Sequence, residues 1–337
     1  LSKVTCAGIL VADLIAADLP RVSGPGEITF TRRAIETHIG GHAANVSADL
    51  MRLGMKPGEV ICLGAVGNDP FADFFERTLA EDRVETRLQR TSKARTSVDL
   101  ILVVKGEDRR YHVGVGANSV FDPGFVVRSV RQERPALFYS GGTGLMARYD
   151  RSLAPVLREV KGLGCLTFVD PVMPHNKSWG YLQKALRWTD IFHCNDVEAL
   201  SLAGKRDLEA ALDALMGAGP DLVLVSRGAA GLLAATPGRR LTMGAFRVKT
   251  LDPTGAGDAF CAGFIRRAVR KLEAERAGGL EWTDEELADA LLGAEAAGAA
   301  CVTGIGTTSA VCREKVESLL AAQRASVRKT IKIETPR

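Results

Sequence analysis

Short apolar runs alternate along this chain with longer segments that are apolar on one helical face, and that alternation limits the fold more than any other feature. Val4–Leu10, Val60–Val66, Ala136–Tyr139, Leu166–Val169, Ile191–His193 and Leu222–Val225 are the runs. They read as strands buried on both faces, the signature of a parallel sheet. Between them, Ala43, Val46, Leu50 and Leu53 recur at spacings of three and four, with Gly54 as the stop, and Leu208, Ala211, Leu212 and Leu215 repeat the pattern. Thr283 with Glu286 makes a capping box ahead of a helix over Leu287–Ala300. Strands and helices in alternation predict a three-layer α/β/α sandwich around a mostly parallel central sheet. A chain of 337 residues suits one such large domain, expected here to span 1–337.

Two segments break the alternation. Residues 12–40 and 95–117 mix polar and apolar positions. Ser97–Val104 reads as a strand, Lys105–Asp108 as a turn and Arg109–Val115 as the returning partner. Together the segments are expected to form a small β appendage, a lid over a cleft. Its exposed edges are a possible surface for a homodimer. The last residues, Arg324–Arg337, read either as a frayed tail or as an edge strand.

Several function classes fall away on composition. Hydrophobic residues at 46% and charged residues at 25% are globular values, which exclude wholesale disorder. Lys plus Arg number 44 and Asp plus Glu 40, a net charge of +4 that gives no support to a nucleic-acid partner. No run reaches the ~18 apolar residues of a membrane span. The first residues lack a secretory apolar region. The seven cysteines form no C-x-x-C pair and read as buried free thiols of a reducing compartment, so a cytoplasmic location is expected. P-loop, dinucleotide-binding and nucleophile-elbow patterns are missing.

The strongest chemical signal is Asp252-Pro253-Thr254-Gly255-Ala256-Gly257-Asp258-Ala259-Phe260, read as following a strand over Ala245–Val248 and opening a helix of small and apolar residues. Gly255 and Gly257 allow a close backbone approach, and N–H groups at a helix N-terminus make an anion site. Asp258 in that first turn reads as a helix-capping carboxylate or as a base. Beside an anion cradle, a fixed carboxylate can take the proton from an attacking hydroxyl while the N–H groups hold developing charge.

These residues resemble the C-terminal signature of the PfkB, or ribokinase-like, family of carbohydrate and nucleoside kinases. Gly40-Gly41-His42-Ala43-Ala44-Asn45, running on to Leu53-Gly54, resembles that family's N-terminal signature. The resemblance implies a ribokinase-like sandwich with a β lid. It implies an ATP-dependent kinase that moves the γ-phosphoryl group to a hydroxymethyl group of a sugar-like acceptor. Asp258 would be the general base, with Gly255, Ala256 and Gly257 as the anion hole. Asp13, Gly41 and Asn45 would hold acceptor hydroxyls, although an Asp after a strand is by itself a turn residue. Ser226 and Gly228, in Ser226–Gly231, match nucleotide-phosphate contacts. Asn195 and Glu198 read locally either as a helix cap or as organisers of Mg²⁺, and the resemblance favours Mg²⁺, held through water. A site for a monovalent cation such as K⁺ is implied at Asp252 and Thr254 on one side and Cys301, Gly304 and Gly306 on the other.

The chain also departs from the family's patterns. Asp170–Trp179 keeps the acid and the indole of a sugar-binding strand end but not its Asn and Arg, so no particular sugar is favoured. His42 stands where ribokinase carries Lys, and Glu295 where many relatives have an Asn near the adenine. Arg109 and Arg110 on the lid read as a clamp for an anionic acceptor or as a solvated hairpin end. A nucleoside kinase of the same fold and a non-catalytic sugar or nucleotide sensor are the alternative functions. Few lid aromatics, chiefly Phe30 and Tyr111, speak for the first.

Overall fold

Each of the six apolar runs first named falls on a strand, because each alternates between two buried surfaces rather than between core and solvent. The computed structural model describes residues 3–107, 109–275 and 281–335. In chain order the strands are β1 (Val4–Gly8), β2 (Val11–Leu19), β3 (Glu36–Gly40), β4 (Val60–Gly67), β5 (Glu85–Thr91), β6 (Val98–Val104), β7 (Arg110–Gly114), β8 (Leu137–Thr143), β9 (Leu166–Pro171), β10 (Ile191–Asn195), β11 (Leu222–Ser226), β12 (Leu232–Thr236), β13 (Arg239–Met243) and β14 (Lys332–Glu334). Ten of them form one sheet in the order β14-β13-β12-β11-β10-β9-β8-β1-β4-β5. From β5 through β11 all neighbours run parallel, and β12, β13 and β14 add antiparallel.

The two faces have separate cores. Val4 and Cys6 of β1, Cys62 of β4, Tyr139 of β8 and Leu224 of β11 pack on one side with the helices His42–Arg52, Ala256–Glu275 and Asp284–Cys301. Ala7, Leu63, Phe138 and Val223 face the other side, toward the helices Pro123–Glu133, Leu153–Gly162 and Leu208–Gly217. Phe264, fully buried, meets Phe168 and Trp282 edge-on or tilted at 6.3 and 5.6 Å. Each such side chain contributes about 1.5–3 kcal/mol by leaving water. The Thr283 and Glu286 capping box forms, with Thr283 Oγ1 accepting from Glu286 N and Glu286 Oε2 accepting from Thr283 N. All seven cysteines are free thiols and all but the half-buried Cys312 are buried. Among the described residues no helix is long and apolar enough to cross a membrane.

Segments 12–40 and 95–117 join in a second sheet of order β3-β2-β6-β7. The expected hairpin is β6 and β7, antiparallel; Asp108 of its turn lies outside the described residues. Asp13 and Asp99 pair in register, and Val113 pairs with Asp99, so these side chains share one face.

Two expectations are corrected. Ala245–Val248 is not a strand, and residues 244–250 run without regular structure. The reason lies in Gln323, whose side-chain amide pairs both Arg247 N and Arg247 O at 2.9 Å and takes the place of a ladder. The C-terminal segment is neither wholly tail nor wholly strand. It completes the helix Arg313–Arg328, where Arg324 and Arg328 pair with Asp289, and then adds β14 at the sheet edge.

Candidate active site

Parallel strands deliver their carboxyl ends to one edge of the sheet, and loops at that edge form a crevice. Asp170 is the next-to-last residue of β9, Asn195 closes β10 and Ser226 closes β11. Asp13 comes from β2, just past β1. The helix His42–Arg52 brings Asn45, and the helix Ala256–Glu275 brings Asp258 in its first turn.

Asn45 and Asp258, 213 positions apart in sequence, touch at the centre. Asn45 Nδ2 donates to Asp258 Oδ2 at 2.8 Å. The other side of the amide is held as well, since the Thr307 hydroxyl lies 2.9 Å from Asn45 Oδ1 and 2.7 Å from Ile39 O and donates to one of them. Asn45 is therefore committed to Asp258 and Thr307. Asp258 Oδ1 is buried and has no partner among the described residues. Burial pushes the Asp258 carboxyl up, His42 offsets part of this, and the Asp170 charge adds to the rise. His42 is itself held above its ordinary value; burial opposes its charge, but Asp258, Asp170 and Glu198 outweigh it.

Asp13 is 5% exposed and its carboxyl is pushed up to about 8 by burial and by the charges of Asp99, Asp258 and Asp252. A Cβ on Gly40 would sit 2.2 Å from Asp13 Oδ2, so the glycine makes room for that acid. Gly41 has φ +88°, and a Cβ there would strike Ile9 O at 2.5 Å. These two contacts explain why the Gly40-Gly41 pair opens this helix.

The candidate anion hole is built from a turn that requires glycine. Gly255 has φ +82°, and a Cβ would lie 2.4 Å from Thr307 O. Ala256 N already reaches Pro253 O at 3.3 Å, which leaves Gly255 and Gly257 as the better placed donors of the expected three. Beside them lies a cavity of about 800 Å³ lined by Ser226, Gly228, Gly257, Glu295 and the irregular segment around Phe246. Burial pushes the Glu295 carboxyl up to about 7 against the opposing influence of His193.

Asn195 and Glu198 form a capping box with each other: Asn195 Oδ1 accepts from Glu198 N at 2.8 Å, and Glu198 Oε2 accepts from Asn195 N at 3.0 Å. The cap leaves Glu198 Oε1 as the oxygen able to order a water at the strand end.

Asp170 is not open to an acceptor. It is 4% exposed and accepts from Tyr139 Oη at 2.8 Å, from His193 Nδ1 at 2.8 Å and from Cys261 Sγ at 3.4 Å. Although burial opposes it, His193 beside the carboxylate holds its pKa below the ordinary range. Trp179 is also buried, with Nε1 on Ser201 Oγ at 2.9 Å.

Asp252, Thr254, Cys301, Gly304 and Gly306 do come together, but their donors are largely engaged. Asp252 Oδ2 accepts from Gly306 N at 3.0 Å, and Oδ1 accepts from Thr254 N at 2.9 Å and from Thr254 Oγ1 at 2.7 Å. Arg109, from the small sheet, pairs with both Asp252 Oδ1 and Thr254 Oγ1. Cys301 O accepts from Gly304 N at 3.2 Å, and Cys301 Sγ lies 3.4 Å from Thr254 O and 3.1 Å from Thr307 O. A bare monovalent cation fits this set poorly. Arg109 is neither a free clamp nor a solvated hairpin end, while Arg110 turns outward to Glu107. Thr307 has no signal in the sequence, and Arg109, though readable as a lid residue, gives no sign there of its pairing with Asp252, because only the folded chain brings them here.

The family model for pfkB family carbohydrate kinases matches residues 1–313. A fructokinase of Klebsiella pneumoniae is 28% identical over 244 residues, 67% of this chain and 75% of that protein. An aminoimidazole riboside kinase of Salmonella typhimurium is 28% identical over 288 residues, 81% of this chain and 84% of that protein. Among solved structures, a ribokinase from Giardia lamblia superimposes with a TM-score of 0.82 at 22% identity, over 95% of this chain and 99% of that one. A fructokinase with bound ATP from Xylella fastidiosa gives 0.80 at 24% identity, over 96% and 100%. With both signatures folded around one crevice and the family model covering all but the last 24 residues of 337, the chain belongs to the pfkB family of carbohydrate kinases.

Proposed function

We propose that this chain uses ATP to phosphorylate a hydroxymethyl group of a sugar-like acceptor, with Asp258 as general base. The observation that carries this reading is Asp258 itself. One oxygen is held by Asn45, the other has no partner among the described residues, and the carboxylate stands at a helix N-terminus between a nucleotide-sized cavity and Asp13.

In this reading Asp258 Oδ1 takes the hydroxyl proton as the acceptor oxygen bonds to the γ-phosphorus and the bond from that phosphorus to the bridging oxygen of ADP breaks. The N–H groups of Gly255 and Gly257 receive the charge that develops on the phosphoryl oxygens. Asp13 and the Gly41 backbone orient acceptor hydroxyls, and Asn45 acts mainly by fixing Asp258. Ser226 and Gly228 support the nucleotide phosphates. When bound, Mg²⁺ neutralises phosphate charge, and Asn195 with Glu198 Oε1 would hold it through water. The four-stranded sheet serves as a lid that excludes water and so suppresses hydrolysis of ATP.

The test is ADP release with MgATP across sugars, sugar acids, sugar phosphates, polyols and nucleosides, for the native chain and Asp258→Asn. Turnover on one acceptor, lowered roughly 10²–10⁴-fold in the variant, is the expected result. ATP hydrolysis that needs no acceptor and ignores Asp258 would defeat the mechanism. Binding without turnover on any acceptor would favour a sensor.

A further inference from the structure

Arg109 brings a full positive charge from the small sheet to the acid that opens the phosphate loop. Its guanidinium bridges Asp252 Oδ1 and Thr254 Oγ1, and its side chain is 14% exposed. The ring of Tyr111 lies 5.6 Å from the guanidinium carbon, with its hydroxyl 3.4 Å from Thr254 Oγ1. Burial opposes the charge of Asp252, yet hydrogen bonds from Thr254 and Gly306, with Arg109 adding the least, hold its carboxyl below the ordinary range. Two of the carbonyls expected around a bare ion have partners too: Thr254 O faces the Cys301 thiol, and Cys301 O accepts from Gly304 N. A monovalent ion on Asp252 Oδ1 would meet the guanidinium at close range, and like charges at that separation repel.

We propose that the Arg109 guanidinium takes the place of the monovalent cation beside the anion hole, so that this kinase carries its own cation on the small sheet. The inference rests on the anion-hole reading given above. Arg109 is a positioning residue. It fixes the Asp252–Thr254 turn, which sets the N–H groups of Gly255 and Gly257, and it reaches that turn only while the small sheet covers the crevice. Closure and completion of the anion hole become one event.

The experiment uses Tl⁺ as a probe for K⁺, read by ²⁰⁵Tl resonance, with MgATP binding measured by calorimetry in potassium and in tetramethylammonium buffers. Neither arm needs an acceptor, so a failure of the kinase reading leaves both interpretable. The native chain is expected to bind no Tl⁺ at millimolar concentration and to bind MgATP equally, within about twofold, in both buffers. Arg109→Gln is expected to weaken MgATP binding roughly tenfold in tetramethylammonium, to regain it in potassium and to acquire Tl⁺ binding. Arg109→Lys is expected to keep the native indifference to K⁺, which a purely structural role for the guanidinium would not give. Where an acceptor is in hand, kcat should follow the same pattern. Tl⁺ binding by the native chain, or MgATP binding that rises several-fold with K⁺, overturns the proposal. So does an Arg109→Gln defect equal in both buffers. If Arg109→Gln does not fold, the native Tl⁺ arm and Arg109→Lys still decide.

Discussion

Replacing Asn45 with Ala isolates the one side-chain hydrogen bond that Asp258 receives. Asn45 Nδ2 donates to Asp258 Oδ2 at 2.8 Å, and Oδ1 has no donor among the described residues. A hydrogen bond to a charged group contributes about 1.5–3 kcal/mol. Its loss removes a stabiliser of the carboxylate and raises the Asp258 pKa further. The sign follows from which form the amide favours. It donates to the carboxylate, so its removal favours the protonated acid, and a base is inactive when protonated. The acid limb of kcat/KM should therefore move to higher pH. Activity below the limb should fall about tenfold to a hundredfold, and it should recover on the high-pH plateau. The assay is kcat/KM for the acceptor from about pH 5 to about pH 10 at saturating MgATP, with Asp258→Asn as the profile that lacks the limb. Thr307→Val, which frees Asn45 Oδ1, should move the limb the same way by less. A limb that stays in place while the plateau drops would refute the reasoning, because Asn45 would then act on the acceptor and not through Asp258.

Phe264→Ala empties a fully buried position against Phe168 and Trp282 and should cost about 3–5 kcal/mol in urea unfolding; a loss below about 1 kcal/mol would show that the site collapses on itself. Asp13 keeps its proton to about pH 8 when folded and loses it near its ordinary value when unfolded, so its contribution to stability declines as pH rises between those values. Asp13→Asn should accordingly raise the melting temperature more at about pH 9 than at about pH 5, and an equal change at both would contradict the assignment. Ile28, Phe30 and Leu100 are 74%, 82% and 49% exposed on the segments of the small sheet, and we expect them to join two copies of the chain. Light scattering should give a dimer that Leu100→Asp converts to a monomer, and a native monomer would end that expectation.

The central strands were legible because a strand buried on both faces has no polar alternation to hide it. The capping boxes at Thr283 and Asn195 were legible because a cap is local, with both partners within three residues. Ala245–Val248 misled because its apolar residues line the nucleotide-sized cavity, with Phe246 and Val248 at its wall. The pairing of Arg247 by a side chain 76 positions away has no local signal. The candidate site divides in the same way. The glycines and acids of the two signatures could be read off, since each stands in a fixed relation to a strand end or a helix start. Which of them touch could not. Asn45 on Asp258, Thr307 on Asn45 and Arg109 on Asp252 join parts of the chain more than 140 residues apart. Asp170 shows the cost of reading a strand end alone, because it faces inward to Tyr139 and His193 and not toward the crevice.

The strand order has a consequence for how the protein comes into being on the ribosome. β1 lies inside the sheet between β4 and β8, and from β8 to β14 each new strand is laid beside the one made just before it. A nascent chain can thus extend the sheet outward one edge at a time, without inserting a late strand between two early ones. The helix that carries Asp258 starts only at residue 256, and Thr307, which steadies Asn45, comes later still. A truncated translation product should therefore hold much of the sheet and yet lack the carboxylate that defines the crevice. Ribosome-stalled chains ending before and after that helix would show protease resistance well ahead of nucleotide affinity.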